Sequence, residues 1–75
     1  MDIDAITTLL KTKFPDAKVE ADYEGSHLQL TVVSEAFAGL TSLKKQRLVY
    51  QALNDKIANG EIHAVNMKTL TPDQV

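Results

Sequence analysis

Residues 18 to 32 alternate in character twice over, and this pattern narrows the possible folds more than any other. Val19, Ala21 and Tyr23 interleave with Lys18, Glu20 and Asp22; then Leu28, Leu30 and Val32 interleave with His27, Gln29 and Thr31. A period of two belongs to a strand with one face buried and one face in water. Gly25-Ser26, between the two runs, is a tight-turn signal. The segment therefore predicts an antiparallel hairpin. A lone hairpin is at best marginally stable in water, so the remaining chain must cover its apolar face.

The flanking segments read as the cover. Ile3, Ile6, Leu9 and Leu10 recur at helical spacing. Asp2 or Asp4 is placed to cap the start by accepting from free backbone N–H groups, and Pro15 ends the helix because the residue before proline avoids helical angles. After the hairpin, Ser34 to Ser42 reads as a connection, with Phe37 and Leu40 tucked inward and Gly39 allowing a bend. Thr41 or Ser42 then caps the longest helix, expected to run to about Ala58. On its helical wheel Leu43, Val49, Tyr50, Leu53 and Ile57 fall on one side. Asn59-Gly60 is a helix stop, since glycine tolerates the left-handed conformation that ends helices. A third strand is expected over Ile62 to Lys68. Thr71-Pro72-Asp73 looks like a helix start, with threonine as cap and proline at the first position, but only a stub follows.

The expected order is αββαβ(α), an α+β arrangement in which residues 1–75 form one domain. Joining the second and third strands through a long helix predicts a right-handed crossover and parallel pairing. The result is a three-stranded mixed sheet with its helices on one face.

Composition then removes several function classes. A chain of 75 residues with 44% hydrophobic and 24% charged residues is ordinary for a globular domain. There is no cysteine, so disulfides and any zinc or iron–sulfur site made from this chain's own thiolates are excluded. The formal net charge of −2 argues against a general nucleic-acid binder, which needs basic residues in number. No apolar run approaches the roughly 20 residues that span a bilayer. The acidic start MDIDAITTLL lacks the positive opening of a signal peptide. The expectation is a soluble cytoplasmic protein.

Few residues carry chemistry. The two histidines are expected at the starts of strands two and three, His27 and His63. In parallel neighbours those starts share one end of the sheet, about 5 Å apart, so two imidazoles could converge on one metal or one partner surface. Each also has a structural reading, His27 as a turn-flanking residue and His63 as a hydrogen-bonded strand residue. Two ligands do not close a zinc site, which wants three or four; the rest would come from a partner. The long helix opens with Lys44, Lys45 and Arg47, a start that its dipole disfavours. Leu48 is read as projecting away from the apolar face between these bases, where it could dock a partner protein or a phosphate backbone, or simply be one stray surface leucine. Enzyme motifs are missing: there is no phosphate-binding glycine loop, no HExxH and no G-x-S-x-G.

Three segments together resemble the BolA family over nearly the whole chain. They are Gly25-Ser26-His27-Leu28-Gln29-Leu30; Val33-Ser34-Glu35-Ala36-Phe37-Ala38-Gly39 with Leu43 to Tyr50; and Ile62-His63-Ala64 with Lys68-Thr69-Leu70-Thr71-Pro72. The short hairpin and the Lys44-Lys45-Gln46-Arg47 start look like the acid-stress-linked bacterial branch (the IbaG or YrbA type). The resemblance implies a fold similar to type II KH domains. It also implies a non-enzymatic partner of monothiol glutaredoxins, in which a 2Fe–2S cluster is bridged by the glutaredoxin cysteine, glutathione and BolA ligands. The role would lie in iron–sulfur trafficking or in iron or stress regulation. The isolated chain would carry no cofactor and would be a monomer or weak homodimer. The family's C-terminal histidine matches His63. The family's second ligand is a Cys or His in the loop between the first two strands; His27 is the nitrogen donor nearest to that loop here. The family has also been described as transcriptional regulators, with DNA contact assigned to an Arg-His-Arg segment that here reads Lys45-Gln46-Arg47.

Overall fold

The computed structural model describes residues 3–25, 27–60, 62 and 64–74. The first helix, α1, spans Ile3–Lys13 and buries Ile6 and Leu10. Asp4 sits inside its first turn; Asp2, the other expected cap, lies outside the described residues. Strands β1 (Lys18–Glu24) and β2 (His27–Val33) form the expected antiparallel hairpin. Pairing of Glu24 with His27 leaves a two-residue loop. Gly25 takes φ +64 there, the left-handed region that disfavours a side chain.

The third strand, β3 (Ala64–Leu70), pairs in parallel with β2, and the sheet order is β1-β2-β3. Its span lies two residues later than Ile62–Lys68. Ile62 is 3% exposed and its N–H bonds to the Lys56 carbonyl at 3.3 Å, so that residue belongs to the loop packed under the preceding helix. At the other end the strand extends to Leu70, whose carbonyl accepts from the Ser34 N–H at 2.9 Å.

The long helix is not continuous. Thr41 caps helix α2 (Ser42–Ala52), its hydroxyl accepting from the Lys44 N–H at 3.3 Å. The chain leaves helical register at Leu53 (φ −102, ψ 6) and resumes as a short α3, Asn54–Ala58. The side that α2 turns to the sheet corrects the helical wheel. Val49 and Leu53 are buried, but Leu43 is 57% and Tyr50 41% exposed. Leu48, expected to point outward, is half-buried and packs against the core. A straight helix would stack Leu43, Tyr50 and Ile57 along one line, two turns apart. α2 instead turns Leu48, Val49, Ala52 and Leu53 to the core, which leaves Leu43 and Tyr50 on its far side facing water, while Ile57, past the break, packs against the core. Gly60 (φ +82) ends α3 where the sequence indicated.

α1 packs on β1 and α2 on β3, so the helices lie over one face of the sheet. The core joins Ile6, Leu10, Leu28, Leu30, Val32, Phe37, Val49 and Leu53. The rings of Phe14 and Phe37 pack at 5.2 Å and 57°. The opposite face has no helical cover. Lys18, Glu20, Asp22 and Glu24 lie there beside His27, Gln29, Ala64, Asn66 and Lys68, all exposed. No helix among the described residues is long and apolar enough to cross a membrane.

Candidate metal-ligand and partner-binding site

The sheet has two ends of opposite character. At one end the chain satisfies its own polar groups. The Ser34 hydroxyl, fully buried, donates to one Asp16 carboxylate oxygen at 2.8 Å and accepts from the Ala36 N–H at 3.1 Å. The second Asp16 oxygen accepts from the Glu35 N–H at 2.9 Å. These bonds tie the α1–β1 turn to a one-turn 3-10 helix over Glu35–Phe37, which places Phe37 in the core. The Glu35 N–H and then the Ser34 hydroxyl hold the Asp16 carboxyl below the ordinary aspartate range, because both donate to its ionised form. In the sequence Ser34 reads as part of a connection, and no pattern marks Asp16. Nothing local links two residues 18 apart; the only hint was an acid directly after a helix-ending proline.

The same end holds the basic start of α2. Lys44 and Arg47 are exposed and Lys45 is half-buried. After β3, Thr71 is buried, and its N–H donates to the Gln74 side-chain oxygen at 2.8 Å across a 3-10 turn over Pro72–Gln74. The expected helix start is thus a single turn. The Thr71 hydroxyl and then the turn's own backbone N–H lower the Asp73 carboxyl, with a smaller contribution from the Lys45 charge. Of the bases read as a partner surface, Lys45 therefore has an acid of its own chain nearby.

At the far end His27 opens β2 on the uncovered face, exposed, with Glu24 opposite on β1 and Ala64 opposite on β3. Directly paired residues on one face have Cβ atoms about 5 Å apart, so the imidazole has a carboxylate neighbour. His63 lies outside the described residues. Its chain neighbours are Ile62, buried in the core, and Ala64, the register partner of His27. Among the described residues no three His, Cys, Asp or Glu side chains gather to hold a metal ion. This donor set suits a shared centre that takes one or two donors from this chain. Among the described residues it falls short of the three or four donors that a zinc site wants.

Residues 6–74 match the BolA-like protein family. The chain is 38% identical over 72 residues to the acid stress protein IbaG of Escherichia coli K12, covering 96% of this chain and 86% of that one. It is 49% identical over 49 residues to the DNA-binding transcriptional regulator BolA of Vibrio cholerae, a match over 65% of this chain and 45% of that protein. The structure of a BolA homologue from Coxiella burnetii superposes with a TM-score of 0.83 at 33% identity, covering 99% of this chain and 95% of that one. The fold is thus shared with a relative of known structure, and this chain belongs to the BolA-like protein family.

Proposed function

We propose that this protein is a non-enzymatic partner of a monothiol glutaredoxin and lends imidazole ligation to a 2Fe–2S cluster, in iron–sulfur trafficking or in iron or stress regulation. One observation carries the reading: the exposed His27 stands at the uncovered end of the sheet, directly across from Ala64, the residue that follows His63. With no cysteine in this sequence, imidazole and carboxylate are the donors it has to offer such a cluster in the place of thiolate. The thiolates come from the glutaredoxin cysteine and from glutathione.

Within that assembly the cluster supplies the redox and transfer chemistry. This chain's part is to hold a neutral imidazole at a fixed place on a rigid strand end. Glu24, across from His27, is placed to orient that ring, as a carboxylate beside a metal-binding histidine commonly does. Imidazole must be free of its proton to coordinate, so the complex weakens as acidity rises.

The test mixes the protein with a monothiol glutaredoxin, glutathione, iron and sulfide and records visible circular dichroism. A spectrum distinct from that of the glutaredoxin homodimer is expected. His63→Ala should abolish it and His27→Ala should weaken it. A spectrum indifferent to both substitutions would refute the proposal.

A second reading rests on the Vibrio cholerae relative and on Lys44, Lys45 and Arg47 in a helix with no acid along its length. It makes the protein a DNA-binding regulator whose affinity falls steeply with salt. A gel-shift experiment at low salt with the purified protein decides it: no retarded band means that DNA binding is not an activity of this chain alone.

A further inference from the structure

The outer face of α2 inverts the usual amphipathic pattern. A helix turns by about 100° per residue, so Leu43, Arg47 and Tyr50 form one stripe, opposite the side that carries the buried Val49. Leu43 and Tyr50 are two of the three exposed large apolar side chains among the described residues. Arg47 sits between them and Lys44 beside them, both exposed. The stripe continues past the helix break into a shallow groove lined by Arg47, Tyr50, Gln51 and Asn54. α2 contains three basic residues and no acidic one, although the chain as a whole is acidic.

The Leu43 end of the stripe is also remote from His27. Asp73, close enough to feel the Lys45 charge, follows the C-terminal end of β3. His27 pairs with the first residue of that strand. Seven strand residues at about 3.3 Å each put roughly 20 Å between the two ends. A protein engaged at the His27 end leaves Leu43 and Lys44 uncovered.

We infer that the Leu43–Arg47–Tyr50 stripe is a second docking surface, for an acidic protein segment that presents apolar side chains. Charge complementarity selects the sign of the partner, and the apolar pair selects its class. A phosphate backbone has no use for a leucine more than half exposed, and three bases fall short of the roughly 6–10 phosphate contacts of a strong DNA binder. A second copy of this chain offers acids on its uncovered sheet face, but Glu20, Asp22 and Glu24 stand there opposite Thr31, Gln29 and His27, and the larger apolar side chains of that face, Val33 and Leu70, are half-buried at its Lys18 end. The surface is small, so the contact is weak and exchanging.

The probe is a labelled amphipathic peptide with a leucine and a phenylalanine spaced as Leu43 and Tyr50 are, flanked by glutamates. A matched peptide carries lysines instead. Binding is followed by fluorescence anisotropy at physiological salt and mapped by amide chemical shifts on the unaltered protein. The acidic peptide should bind saturably, with shifts centred on α2 and Asn54. Leu43→Ser and Tyr50→Ser should each weaken it about tenfold, while His27→Ala leaves it unchanged. Circular dichroism checks that the variants remain folded. Four results in these assays would overturn the inference: no saturable binding; equal binding of the lysine peptide; shifts on the sheet with none on α2; or a DNA duplex that displaces the peptide and binds Leu43→Ser as well as the unaltered protein. Sedimentation showing a dimer that Tyr50→Ser dissolves would also overturn it, in favour of a second copy.

Discussion

The two ends of the sheet differ in where their polar groups find partners. At the Ser34 end they face one another: hydroxyl to carboxylate, carboxylate to backbone N–H, backbone N–H to hydroxyl. At the His27 end the imidazole stands in water, on a strand start with no helix over it. A folded chain tolerates few unsatisfied polar groups in its interior, so a buried polar residue such as Ser34 is committed to the fold. An exposed donor on a rigid strand is free for something else. The contrast separates residues that build this protein from residues that act for it.

The contrast breaks most visibly in the core beneath the Ser34 end. Phe37→Ala removes a fully buried ring that packs on Phe14 and should cost about 3–5 kcal/mol. Small domains of this kind have only about 5 kcal/mol or a little more in hand, so urea denaturation should find the variant largely unfolded. A cooperative transition near that of the unaltered protein would show that the end is not the structural one. Next in size is Ser34→Ala. It removes the partner of a carboxylate oxygen and of the Ala36 N–H and should cost about 1–3 kcal/mol.

The same pair gives an acid dependence. The Asp16 carboxyl is lowered by the fold from an ordinary value of 3.8. Its contribution to stability is therefore complete above that value and fades as pH falls through the lowered one. Asp16→Asn should flatten this part of the stability curve below the ordinary aspartate range, while Asp73, also lowered, keeps its own part. A curve of unchanged slope would mean that the Asp16 bonds do not persist in solution. The smallest effect belongs to His27→Ala, which should alter stability by no more than about 0.5 kcal/mol, as surface changes do. A larger loss would mean that the histidine supports the fold and would remove the contrast between the ends.

What the sequence made legible follows from its local periods. Strict alternation set both hairpin strands and their inward faces, because a slip of one residue would turn Leu28, Leu30 and Val32 out to water. Pro15 and Gly60 set helix ends through backbone sterics, which act within a few residues. The parallel third strand followed from the length of the helical connection. The site was legible only as a short list of donors. His27 stands on the uncovered face where its alternation put it, while Leu48 packs inward with the core.

Two features needed the assembled chain. Whether α2 continues through Leu53 depends on how that side chain seats in the core, since no proline or glycine marks the break. Which side of α2 meets the sheet decided that Leu43 and Tyr50, equivalent on paper to core residues, face solvent. The Asp16–Ser34 bond likewise joins the turn after α1 to the end of β2, and only closure of the sheet brings the two together. Local sterics and hydrophobic period were sufficient for the elements. Which apolar side of a helix is inside, and which acid meets which hydroxyl, depended on contacts between segments distant in sequence, because burial is a property of the whole packed molecule.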